Sequence, residues 1–273
     1  MITPLSRRSA LEMRRIAQAS RGLFPLFGEI ACRSWEGVPS VEIDRQARRY
    51  LTRHGLVSAL AGYRGYPAHC SVSFNATAVH GIPSARTIRR GDIFTVDVAA
   101  RGGGWVSDAA WTYLMPGCSS RVERFYRASW RAFRELLQRI EPGISLEELA
   151  IISQEIADRE GLAVLGECLG HGIGRELHEP PVIPFVRQGA ESGAASVRLV
   201  EGLVFNIEPV YSSGGAAVTV DDDGWGIATL DRSETVHFEL TLAIHQNRVE
   251  VFQFGRCPAR DLPAAPPFGV LSG

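Results

Sequence analysis

Gly91-Asp92-Ile93-Phe94-Thr95-Val96-Asp97 and Gly202-Leu203-Val204-Phe205-Asn206-Ile207-Glu208 carry one pattern twice. Each opens on glycine, runs through an apolar stretch with phenylalanine in the same place, and ends on a carboxylate. β-Branched and aromatic residues suit a pleated surface, so both stretches read as strands. The helices upstream repeat as well. Gly37-Val38-Pro39-Ser40 precedes a helical pattern to His54, stopped by Gly55, with Ser40 as the expected N-cap. Gly143-Ile144-Ser145 precedes Leu146-Glu147-Glu148, a capping box of the S-x-x-E kind, and a helix to about Glu160, stopped by Gly161. A weaker third echo sets His80-Gly81-Ile82-Pro83 against His171-Gly172-Ile173-Gly174. Three echoes in one order indicate two similar α+β halves around a shared core. Chance similarity among short apolar strands is the competing reading.

A further helical stretch, roughly Arg7 to Ser34, is interrupted by Pro25, which predicts a kink or two shorter helices. Arg187 to Ser196, with Gly189, Ala190, Ser192 and Gly193, reads as a loop. Residues 1–255 are expected to form one domain. After Gly255 the chain becomes rich in proline and alanine, and residues 256–273 are expected to be a poorly ordered tail.

Composition excludes several chemistries. All 29 basic residues are arginine, so a P-loop lysine, a Schiff-base lysine and a Ser-Lys dyad are impossible. A net charge of -1 gives no footprint for nucleic acid or an anionic membrane. The apolar runs are too short to span a bilayer, and Met1 to Arg8 lacks the apolar core of a secretory signal. Cys32, Cys70, Cys118, Cys168 and Cys257 are odd in number and contain no C-x-x-C, which fits reduced thiols in a cytoplasmic protein.

The candidate chemistry starts from Asp97 and Asp108. Gly102-Gly103-Gly104 turns one strand back on the next. A turn centred between Gly102 and Gly103 sets the two aspartates directly opposite, with Cβ atoms roughly 4.5–5.5 Å apart. Two ionised carboxylates at that distance repel, and a divalent cation between them relieves the repulsion. A solvated strand end is the alternative. His171 lies between Gly170 and Gly172, which let the backbone come close and leave the imidazole unshielded. Glu208 closes a strand before Pro209. Glu239 interrupts the apolar run Val236-His237-Phe238-Glu239-Leu240, so it is either solvated or paired in a site. Together, four carboxylates and one imidazole match a pair of divalent ions about 3.5–4 Å apart.

Asp97, Asp108, the block from Gly170 to Pro180, Ile207-Glu208-Pro209 and Glu239 resemble the metal-binding positions of the methionine aminopeptidases, over roughly Arg7 to Phe252. That family has the pita-bread fold, an α+β architecture of two pseudo-symmetric halves with a curved antiparallel sheet and helices on its outer face. The short spacing from Glu208 to Glu239 resembles type I, and the missing cysteine-rich N-terminal extension resembles the bacterial form. The resemblance implies a cytoplasmic, monomeric metallo-exopeptidase. Its implied substrates are nascent polypeptides with an N-terminal methionine, met in proximity to the ribosome. Asp97, Asp108, His171, Glu208 and Glu239 would bind two divalent ions, and Co, Mn, Fe and Zn all suit that donor set. His80 would contact substrate near the scissile amide, His178 the carbonyl under attack, and Glu208 would also shuttle a proton. Tyr63, Tyr66 and Trp225 match the methionine pocket, whose thioether packs well on aromatic edges.

Some positions depart from the family pattern. Ser71 stands where many members have cysteine, Leu177 where many have phenylalanine, and Ala76 where an acid is common. His237, Phe238 and Leu240 surround Glu239 where the family usually shows Gln, an aromatic and His. These changes suggest a divergent copy with altered substrate preference or turnover. An Xaa-Pro aminopeptidase of the same fold is the nearest alternative, although such proteins usually carry an extra N-terminal domain. A non-catalytic peptide-binding module is the other, although such modules typically lose ligands.

Overall fold

Gly103 and Gly104 decide the register of the central hairpin. In the computed structural model, which describes residues 6–189, 193–255 and 262–271, both have positive φ, 58° and 78°. A two-residue hairpin loop of type I′ requires that conformation at both positions. Strand β4 (Ile93–Gly102) therefore runs to Gly102, and β5 (Trp105–Leu114) begins directly after the turn. The turn lies one residue later than the sequence reading placed it. Asp97 faces Ala110 and Asp108 faces Ala99, so the aspartates are diagonal rather than opposite. Three consecutive glycines permit either turn. Gly102 stays in the strand because Leu56 packs where its Cβ would be. The slip is by an even number of residues, so both aspartates still point to one face.

The first helical stretch divides as expected. Helix α1 (Ala10–Leu23) starts at a Ser9–Glu12 capping box, and α2 (Pro25–Ala31) starts on the proline. Helix α3 (Val41–Arg53) follows, but Ser40 does not cap it. The Ser40 hydroxyl accepts from the Ser84 amide and donates to the Ser84 carbonyl, tying down a loop instead. Helix α4 (Ser120–Arg139), absent from the sequence reading, buries Val122, Tyr126, Trp130, Phe133 and Leu137 along one stripe. Helix α5 (Leu146–Glu160) has the expected Ser145–Glu148 capping box and ends at Gly161, φ 70°.

All pairings between named strands are antiparallel. In the first half β2 (Ser71–Phe74), β4 and β5 lie side by side after α3. In the second, β7 (Gly170–Gly172), β9 (Val204–Ile207) and β14 (Leu240–Ile244) lie in the same order after α5. The two strand echoes thus occupy equivalent central positions, β4 and β9. The third echo does not hold. The counterpart of β7, which carries His171, is β2, whereas His80 follows β3 (Thr77–Val79).

Strand pairing and side-chain packing both join the halves. Ala110 of β5 and Glu239 form an antiparallel bridge, with Glu239 N–H donating to Ala110 O at 3.0 Å. On the helix side, Trp111 and Phe238 pack edge to face and both meet Trp130 of α4. The end of the chain adds to this layer. Trp111 Nε1 donates to Phe268 O at 2.7 Å, Trp130 Nε1 donates to Ala264 O at 3.2 Å, and Leu262 and Leu271 are buried. Over residues 262–271 the expectation of a poorly ordered tail is therefore not met. Residues 1–5, 190–192, 256–261 and 272–273 lie outside the described residues, and with them Ala190, Ser192 and Cys257. Among the described residues no helix is long and apolar enough to cross a membrane.

Candidate metal centre

The site lies where a long ladder is interrupted. Strand β9 pairs with β14, ending at Ile207 opposite Leu240. In the same register β10 (Val210–Ser212) pairs with β13 (Thr235–His237), starting at Val210 opposite His237. Between these stretches stand Glu208-Pro209 on one side and Phe238-Glu239 on the other. Proline has no N–H to give the ladder, so pairing lapses there. Continuing the register across the gap sets Glu208 opposite Glu239. Glu239 instead pairs with Ala110, whose other neighbour is Asp97. The methyl group of Ala110 leaves open the space that Asp97, Asp108 and Glu239 surround.

His171 completes this face from β7. Its Nδ1 donates to Gly172 O at 3.0 Å, which turns the Nε2 lone pair toward the acids. His171 Nε2 lies 3.3 Å from Glu208 Oε1, 3.9 Å from Asp108 Oδ2 and 4.0 Å from Glu239 Oε1. The flanking glycines are needed for close approach. A Cβ on Gly170 would sit 2.5 Å from Asn206 O, and one on Gly172 would collide with Pro180 O. They do not leave the imidazole unshielded, however, because His171 is 7% exposed. Burial holds His171 neutral, lowering its pKa to about 3.

The donors fall into two groups whose atoms lie within 4.8 Å of one another. One is Asp108, His171 and Glu239; the other is Glu208, His237 and Glu239. Asp97 belongs to neither group but meets the Asp108 side chain. Burial drives Asp97, Asp108, Glu208 and Glu239 toward the protonated form, and mutual repulsion adds to this for the last three. Among the described residues only His171 and His237 stand within ion-pair distance of these acids. Asp108 Oδ1 and Glu208 Oε1 are buried without a hydrogen-bond partner. Four carboxylates lacking a protein cation, with orphaned oxygens and a preoriented imidazole, fit divalent metal.

A cavity of about 890 Å³ opens onto the centre, lined by His80, His171, His178, Glu208, Arg64 and Cys168 among others. His80 and His178 both line this cavity. His80 holds a left-handed backbone, φ 61°, an unusual conformation for a non-glycine residue. His178 packs edge-on against His171 at 4.2 Å, and its Nδ1 hydrogen-bonds the Tyr63 hydroxyl at 2.7 Å. Tyr66 and Trp225 meet edge to face at 5.1 Å, and the Tyr66 hydroxyl donates to Gly81 O beside His80. Ser71 is paired with Asp97 across β2 and β4. Leu177 is buried in a cluster with Trp105, Ile173 and Phe252, and neither it nor Tyr63, Tyr66, Ser71 or Trp225 is among the residues lining this cavity.

Sequence reasoning gave no role to Asn206, whose Nδ2 donates to Glu239 Oε1 at 2.7 Å. It also missed Gln253, which with Thr241 donates to the Asp108 carbonyl at 3.2 Å. Asn206 was visible in principle as a polar residue two before Glu208 in an apolar strand. Gln253 comes from a distant segment and left no local signal.

The profile of metallopeptidase family M24 matches residues 12–246. Methionine aminopeptidase 1 of Bacillus subtilis is 32% identical over 215 residues, which cover 79% of this chain and 85% of that protein. The crystal structure of methionine aminopeptidase from Thermotoga maritima superposes with a TM-score of 0.86 at 30% identity, covering 92% of this chain and 99% of that one. A prolidase from Thermococcus sibiricus shares the fold at 20% identity and a TM-score of 0.71, and this chain covers 63% of it.

Proposed function

This chain belongs to metallopeptidase family M24, and we propose that it removes the N-terminal methionine of nascent proteins and peptides by hydrolysing their first peptide bond. In this reading it is a type I methionine aminopeptidase that works as a cytoplasmic monomer. The observation carrying the proposal is the buried cluster in which Asp108, His171, Glu208 and Glu239 bring their donor atoms together, with Asp97 against Asp108 and with His171 and Glu208 lining the cavity. Those five residues would hold two divalent ions, with Co, Mn, Fe and Zn all compatible. When bound, the ions supply Lewis acidity and lower the pKa of water toward neutrality.

The chain's own groups account for the rest. Glu208, which lines the cavity and has one oxygen without a hydrogen-bond partner, takes the proton of the attacking water and passes it to the departing amine. With the Tyr63 hydroxyl as donor in its hydrogen bond to His178 Nδ1, Nε2–H is left to donate to the carbonyl oxygen as charge develops there. His80 stands at the cavity wall to hold the scissile amide. Tyr66 and Trp225 offer aromatic edges to a thioether side chain. The acidic centre favours a substrate that presents a free α-ammonium group, which confines cleavage to chain ends.

The test is methionine release from Met-Ala-Ser after EDTA treatment and re-addition of manganese or cobalt, with an Xaa-Pro peptide in parallel. Activity on the methionyl peptide, restored by metal and lost in Asp108→Ala, is the expected result. Metal uptake with no methionine release, or preference for the Xaa-Pro peptide, would overturn the methionine assignment.

A further inference from the structure

His237 is 1% exposed, and neither of its ring nitrogens has a hydrogen-bond partner. Burying an imidazole with both nitrogens unpaired is costly, and such groups are rare enough in folded proteins to require a cause. The backbone does not supply one. His237 N–H donates to Thr112 Oγ1 and its carbonyl accepts from the same hydroxyl, which fixes the strand without touching the ring. Strand geometry explains where the ring goes. His237 precedes Glu239 by two residues and so projects to the same side, and it is paired with Val210, two beyond Glu208. Its Nε2 stands 3.9 Å from Glu208 Oε2, too far for a hydrogen bond. The donor atoms of Glu208, His237 and Glu239 nevertheless lie within 4.8 Å of one another. Ligands at ~2.1 Å from one ion stand up to about 4.2 Å apart, so this spacing closes around a cation with small adjustment.

We infer that His237 is a sixth protein ligand, giving an imidazole to the ion that Glu208 and Glu239 hold, so that the dinuclear centre carries two histidines. The inference rests on the metal-dependent reading above. It also gives the unpaired Nε2 an occupant and explains why an imidazole is tolerated inside an otherwise apolar run. A nitrogen donor added to a carboxylate set favours borderline ions such as Co, Zn and Fe over Mg.

Cobalt(II) is the probe. X-ray absorption of the wild-type protein loaded with two cobalt ions should show outer-shell scattering from two imidazoles per pair, and His237→Leu should show one. Calorimetric titration should give at least a 10-fold weaker cobalt affinity in His237→Leu, with the thermal midpoint of the metal-free proteins unchanged or raised. Two bound cobalt ions with one imidazole in the wild type would overturn the assignment while leaving the carboxylate centre standing. A wild-type protein that binds no cobalt would overturn both.

Discussion

Tyr63 acts at the site through one atom. Its hydroxyl hydrogen-bonds His178 Nδ1 at 2.7 Å, and in the proposed mechanism it donates there, which keeps the proton of His178 on Nε2. Tyr63→Phe keeps the ring and removes this bond, worth about 1 kcal/mol. We expect kcat on Met-Ala-Ser to fall roughly 5- to 10-fold, with KM little changed because the aromatic surface remains. A fall in KM affinity with kcat intact would show that Tyr63 only lines the pocket. At this scale the sequence was most readable where a residue is out of character with its neighbours. Glu239 inside an apolar run and His171 between glycines each stand out from their neighbours, but only the whole set of acids and imidazole points to a site. Leu177 is in character with a core, and only the three-dimensional packing shows that it meets Trp105 and Phe252.

Ala110 shows what the elements contribute. It stands between Asp97 and Glu239 in a row across β4, β5 and the bridge to the second half, and it has no side chain beyond Cβ to fill the space they surround. Ala110→Val places two methyl groups there. We expect metal affinity to fall by at least 10-fold, while β propensity in this strand is kept or improved. Equal cobalt affinity in the variant would mean that the donors do not converge over this residue. The elements themselves were largely legible. The Ser145–Glu148 box and Gly161 bound α5 as read, and Pro25 divides α1 from α2. Register was legible only in part. Parity along the strand fixes which face Asp97 and Asp108 share, but the choice among three glycines depended on Leu56, far away in sequence terms. Ser40 failed as a cap for a similar reason, because Ser84 competes for its hydroxyl.

At the scale of the whole molecule, the acids at the seam set a pH dependence that metal should cancel. Burial raises the pKa of Asp97, Asp108, Glu208 and Glu239 in the metal-free fold above their unfolded values. A carboxyl with a raised folded pKa contributes stability below its unfolded pKa and loses it as pH rises through the folded one. His171 and His237 have the opposite sense. Burial lowers each to about 3, so their contribution is present above pH 6.5 and lost below it. Between pH 6.5 and about 7.5, below the range where the buried thiols of Cys70, Cys118 and Cys168 begin to contribute, the imidazoles no longer change and the carboxyls dominate. Each proton still held by the fold but absent from the unfolded chain costs about 1.4 kcal/mol per pH unit. The thermal midpoint of the EDTA-treated protein should therefore fall steadily between about pH 6.5 and 7.5. Divalent metal replaces those protons, so the loaded protein should be nearly flat over the same range. Ligand in 100-fold excess over its Kd adds about 2.7 kcal/mol per site, and the gap between the two curves should widen toward high pH. Parallel curves for the two forms in calorimetry would show that the carboxylates at the seam are not the groups a metal ion neutralises.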